Sequence, residues 1–112
     1  NKINKLEKGQ MKNRTFVMNG GGSKKIDVYL FKAEWCGHCK IFKPTWKTLS
    51  KKYSKKYNFH TMDSTEHSKE IEEWGIRGFP TIIARKGQLA SEYAGPRDEE
   101  SILMFLKQIE NN

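Results

Sequence analysis

Two cysteines and three prolines are all that 112 residues contain. Two thiols allow one disulfide at most, so the multiply bridged scaffold of small secreted domains is excluded. No run of about 18 apolar residues occurs, so no membrane-spanning helix is expected. Acidic side chains are short supply against basic ones, 13 to 21, giving a net charge of +8. Such an excess favours acidic partners, which keeps one function class open: a basic, non-catalytic binding module. Its Lys-rich stretches, 1–14 and 40–56, contain no nucleic-acid motif, so no specific nucleic acid is expected. No secretory signal and no C-terminal retention tetrapeptide are visible. The compartments that fit are the cytoplasm or a viral particle, or the endoplasmic-reticulum lumen if an upstream leader was removed.

Hydrophobic content of 36% with 12% aromatics is enough for one packed core. Residues 1–14 read as a polar, Lys-rich segment that could form a turn or two of helix through Ile3 and Leu6. Residues 15–112 read as a single domain. Within it, 15–18 is a short strand, and the glycine run 20–22 with Ser23 is a flexible joint. Residues 26–32 (IDVYLFK) are apolar on both faces, as a central buried strand requires. From Cys36 to Tyr53 the spacing of Ile41, Phe42, Trp46, Leu49 and Tyr53 predicts a helix with Pro44 inside it. Lys40, Lys43, Lys47 and Lys51 mark another face, read as solvated. A strand follows at 57–63, and a helix at 65–74 ended by Gly75. A hairpin over 79–85 and 89–94 turns at Lys86-Gly87, and a closing helix spans 97–109. A mixed sheet flanked by helices follows from this order.

Cys36 and Cys39 are separated by Gly37 and His38. A disulfide closing so short a loop barely restricts the unfolded chain, so it would be a poor staple. A dithiol that makes and breaks its bond is the better reading. Zinc would need four ligands, and His38, His60 and His67 are poorly spaced to complete a tetrahedron with these thiols. Covalent haem would require His where Lys40 stands. No metal and no cofactor are expected. At a helix start, unpaired N–H groups and the dipole favour a Cys36 thiolate, making it the nucleophile. Cys39, one turn inward, would be the more buried, resolving thiol. The His38 imidazole, beside the thiols, could stabilise that thiolate and so make the disulfide more oxidising.

From about residue 26 to 109 the chain resembles the thioredoxin superfamily. The resemblance rests on Ala33-Glu34-Trp35-Cys36-Gly37-His38-Cys39-Lys40, on Pro44, and on Trp74-Gly75-Ile76-Arg77-Gly78-Phe79-Pro80-Thr81. The Gly-His filling and Tyr93-Ala94-Gly95-Pro96-Arg97 are similar to protein disulfide isomerase domains. The resemblance implies an α/β thioredoxin fold and a reversible Cys36–Cys39 disulfide acting on cysteine-containing protein substrates, with a separate redox partner. It also implies a cis Pro80, with Trp35, Phe79 and Ala94 lining an apolar patch and Phe79 offering backbone groups to an extended substrate. Arg97 matches an arginine that lowers the pKa of the second thiol. The Gly-His filling leans toward an isomerase or oxidase; a cytosolic reductase is the alternative, and a monomer is expected. One departure stands out. The family's buried carboxylate, six residues before the first cysteine, is replaced by Leu30, and its lysine partner by Thr61. Losing both together avoids an unpaired buried charge.

Overall fold

The doubly apolar segment Ile26–Lys32 is a strand with neighbours on both sides, which is why neither of its faces is polar. The computed structural model describes residues 13–18 and 25–111. Its elements are β1 (Arg14–Val17), β2 (Ile26–Lys32), α1 (Gly37–Lys52), β3 (Tyr57–Asp63), α2 (Ser68–Glu73), β4 (Thr81–Lys86), β5 (Leu89–Glu92) and α3 (Glu99–Glu110). The expected turn around Ile3 and Leu6 and the joint at 20–23 lie outside the described residues. The sheet runs β1-β5-β4-β2-β3. β2 is parallel to β3 and antiparallel to β4, so the sheet is mixed. No helix is long and apolar enough to cross a membrane among the described residues.

Side chains alternate across β2. Val28 and Leu30 join Phe42, Trp46 and Leu49 of α1 and Ile102, Phe105 and Leu106 of α3 in the larger core. Tyr29 and Phe31 face the other layer, with Ile71, Trp74, Ile76 and Phe79. Ile41 corrects the sequence reading, because it is 76% exposed. It follows Lys40 and precedes Phe42, so helical geometry turns it about 100° from Phe42 and away from the sheet. Leu49→Ala should therefore lower stability by about 2–5 kcal/mol in urea unfolding, whereas Ile41→Ala should stay within about 0.5 kcal/mol.

The helix at 65–74 proves shorter than its periodicity suggested. The Asp63 carboxylate accepts from both the N–H and the hydroxyl of Thr65, at 3.0 and 2.6 Å. This local turn competes with helical pairing, and α2 begins only at Ser68. Gly75, at φ 68°, ends it: the Ile76 N–H reaches back to the Ile71 carbonyl, and only a residue at ease in left-handed backbone suits that step. The hairpin is shorter too, with Lys86 opposite Leu89 and Gly87-Gln88 as its loop. Gly87 supplies the positive φ of 63° there. The last helix starts at Glu99, because Asp98 caps it by accepting from the Ser101 N–H at 2.8 Å.

Candidate active site

Cys36 stands at the N-cap of α1 in extended backbone, so its sulfur meets the first free N–H groups of the helix. The Cys39 N–H donates to the Cys36 sulfur at 3.3 Å, and the Cys36 thiol donates to the Phe79 carbonyl at 3.4 Å. Both cysteines are free thiols. The peptide bond between Phe79 and Pro80 is cis. The loop before β4 thus lies against the head of α1, although 43 residues separate Cys36 from Phe79.

The two thiols differ sharply in acidity. Cys36 is held below its ordinary value, first by the hydrogen bond from the Cys39 thiol. Burial opposes this, and the backbone N–H groups of Cys39 and His38 and the Arg97 charge support it. Cys39 is pushed up to about 11, chiefly by burial and then by its bond to Cys36. Relative exposure of the whole residues is similar, 6% for Cys36 and 8% for Cys39, while burial is the first cause acting on the Cys39 thiol. What separates them is the depth of protein packed around each sulfur, since Cys36 looks onto helix N–H groups and Cys39 sits in the layer behind. Thiolates alkylate and thiols do not. Iodoacetamide at neutral pH should consequently label Cys36 alone, with Cys39 following only as pH rises toward 11.

The other expected residues fall into three groups. Trp35 is 76% exposed and meets Phe79 edge-on, with centroids 5.9 Å apart, which makes an apolar shelf beside Cys36. The cluster around the sulfurs consists of Ala33 and Phe79; Ala94 stands outside it, its N–H bound to Asn13 at 2.7 Å. His38 is exposed and lines a shallow pocket with Ile41, Phe42, Thr45 and Arg97. Its backbone N–H, not its imidazole, reaches Cys36. Arg97 is exposed, and its charge lowers the pKa of both thiols. Gly37 has open space where a Cβ would stand, so no steric need explains it.

Leu30 and Thr61 are direct partners in the parallel β2–β3 register. The two substitutions noted in the sequence are therefore neighbours. Leu30 is buried, and the Thr61 hydroxyl accepts from the Trp46 indole N–H at 3.0 Å. Two functional groups were not foreseen: the Ala33 backbone, which bonds Cys36 and favours the Cys39 thiolate, and the Phe79 carbonyl as the acceptor of the Cys36 thiol. The Phe79-Pro80 pair had pointed to the Phe79 backbone as a substrate contact but not as a partner of the thiol, and nothing in the residue identity of Ala33 marked its backbone.

Known proteins match this arrangement. Residues 8–108 fit the family model Thioredoxin. Protein disulfide-isomerase TMX3 of Mus musculus is 38% identical over 92 residues, covering 78% of this chain and 20% of that protein. Protein disulfide-isomerase 2-3 of Arabidopsis thaliana is 35% identical over 95 residues, covering 83% and 21%. The chain thus spans about a fifth of the length of these curated relatives. Among solved structures, the first thioredoxin domain of mouse Protein disulfide-isomerase A4 superposes with a TM-score of 0.69 at 30% identity, over 77% of this chain and 64% of that one. The J-Trx1 fragment of ERdj5 reaches a TM-score of 0.73 at 22% identity, over 80% and 45%, a likeness of fold. With that fold beneath the two thiols and nearly its whole length matching the family model, the chain belongs to the thioredoxin family.

Proposed function

We propose that this chain is a protein thiol–disulfide oxidoreductase of the disulfide-isomerase kind. The observation that carries the reading is the split in acidity between two thiols one helical turn apart: one is primed as thiolate, the other is held as thiol. The Cys36 thiolate attacks one sulfur of a substrate disulfide, forms a mixed disulfide and expels the other sulfur as thiolate. Cys39 then loses its proton and attacks the Cys36 sulfur. The Cys36–Cys39 disulfide forms, and the second substrate thiol leaves. Two electrons pass from enzyme to substrate, and the steps reverse to oxidise a dithiol. A redox partner resets the pair.

The surrounding residues fit these steps. When Cys36 ionises it no longer donates to the Phe79 carbonyl, and that acceptor is freed for a backbone N–H of an extended substrate. Trp35 and Phe79 offer the shelf for flanking apolar side chains, and Pro80 keeps the loop free of a competing N–H. Arg97 favours the Cys39 thiolate at the resolving step. Gly37 leaves the approach to Cys36 open. The His38 backbone N–H would serve in any residue type but proline.

The reduction potential of the pair, read by glutathione equilibration with alkylation and mass analysis, tests direction. A value near −180 mV, about that of disulfide isomerase, supports isomerisation or oxidation. A value near −270 mV, about that of thioredoxin, makes the chain a reductase. His38→Ala should move the potential toward more reducing values by up to about 30 mV, the equivalent of about 1.4 kcal/mol of lost thiolate stabilisation. An unchanged potential removes the imidazole from the scheme.

A further inference from the structure

The redox reading leaves one cation beside the dithiol unused. Arg77 lies two residues before Phe79, in the loop whose Phe79 carbonyl meets Cys36. It is exposed, and its guanidinium makes no ion pair or hydrogen bond with a described residue. With Arg14, Gly75, Gly78, Thr81 and Glu92 it lines a pocket of about 400 Å³. The other charges of that pocket are already paired. Arg14 donates to the Glu92 carboxylate at 2.8 Å and to the Trp74 carbonyl at 2.7 Å. Two guanidinium groups thus share one carboxylate, and the surplus positive charge sits on Arg77.

Strand ends bring this pocket to the thiols. Thr81 opens β4 opposite Phe31, one residue from the end of β2. Glu92 closes β5, and Arg14 opens β1 opposite it. All three stand at the end of the sheet where the chain leaves β2 for Cys36. Gly78 and Thr81 flank Phe79-Pro80, and the Thr81 hydroxyl donates to the Gly78 carbonyl at 2.6 Å, so this loop forms one wall of the pocket. Bond geometry places the Gly78 Cα within about 10 Å of the Cys36 sulfur. That is a span of about three extended residues. The N–H groups of Arg77 and Gly78 have no partner among the described residues, whereas Pro80 has no N–H to offer. A substrate strand paired with Phe79 can therefore continue past Gly78 toward Arg77.

We propose that Arg77 sets a substrate preference: the protein acts fastest on extended segments with an acidic side chain about three residues from the reacting cysteine, whose carboxylate enters the pocket beside this guanidinium. The planar guanidinium fork matches a carboxylate in shape as well as charge. The inference rests on the dithiol reading and names a substrate class for it.

Three peptides test it. Each has one cysteine, disulfide-linked to thiopyridine, with Glu, Gln or Lys three residues to either side. The Cys36 thiolate attacks the peptide sulfur, and the thiopyridine leaves as a thiolate that is read by its absorbance. Mixed with the reduced protein, the Glu peptide should react about threefold to fivefold faster than the Gln peptide, the size of an exposed ion pair, and the gap should close as salt rises. Arg77→Gln should abolish the preference, and Arg77→Glu should invert it, with the Lys peptide ahead. Lys107→Gln removes the same charge from the last turn of α3 and should keep the preference. Equal rates for the Glu and Gln peptides in the wild type would overturn the proposal. So would a preference that survives Arg77→Gln, or one that Lys107→Gln reduces as much, since either traces it to overall charge. Failure of all three peptides to react would instead overturn the dithiol reading itself.

Discussion

Cys39→Ser should turn the protein into a trap. Mixed with a peptide disulfide, the variant should accumulate close to one covalent adduct per chain, visible in the intact mass and released by dithiothreitol, while insulin reduction falls to background. Cys36, still at the N-cap of α1, meets the same helix N–H groups, and attack on the substrate proceeds. The second displacement has no nucleophile, so the mixed disulfide persists. The converse variant, Cys36→Ser, should form almost no adduct. With its acidity pushed up to about 11, Cys39 is thiolate in only about one molecule in ten thousand at pH 7. Some stabilisation of the Cys36 thiolate should also be lost in a Cys39→Ala variant, because the side-chain hydrogen bond from residue 39, which a serine hydroxyl would still supply, is the first cause of the low Cys36 pKa. Alkylation of Cys36 in that variant should therefore require higher pH than in the wild type. Equal adduct yields from the two serine variants would show that the thiols are interchangeable and would sink the assignment of roles.

Leu30→Glu should have the second large effect, and it acts on stability and catalysis in opposite directions. An ionised carboxylate at this buried position has no partner, because its register neighbour is Thr61, and the loss should be about 3–5 kcal/mol at neutral pH. The sign with pH follows from burial, which raises the folded-state pKa of the new carboxyl above its unfolded value of about 4.3. The penalty is small below that value, where both states are protonated, and grows as pH rises through the folded pKa. Urea unfolding at about pH 4 and pH 7 should show this divergence. Adding Thr61→Lys places an ammonium on the adjacent strand, about 4.8 Å away, and should recover much of the loss. Catalytically, the new carboxylate offers a proton acceptor for Cys39 and should speed release of the mixed disulfide. A resolution rate equal to wild type at every pH from mildly acidic to neutral would show that Cys39 does not wait on a missing acceptor.

Much of the fold was legible because periodicity reports burial. The two-faced apolar run of β2 and the spacing of Phe42, Trp46 and Leu49 in α1 each record contact with the core. The readings that failed did so where a single side chain outcompetes a pattern. Asp63 captures Thr65 and delays α2, Asp98 caps α3 two residues late, and Ile41 continues an apolar spacing yet faces solvent. At the site, the motif and its place at a helix start pointed to Cys36 as the nucleophile and Cys39 as the resolving thiol, but not to the groups that set their acidities. Equal accessible areas with unequal acidities arise from which sulfur meets N–H groups and which is packed from behind.

By itself the chain determined where its thiol pair stands and how its layers are ordered. A lone thiol pair at a helix start favours a thiolate and a reversible disulfide, and alternating strand and helix periods bury their apolar sides only in stacked layers. Tertiary structure alone decided what lies across from what. Chain separation carries no distance information, so only folding brings the Phe79 carbonyl to the Cys36 sulfur and sets Leu30 opposite Thr61.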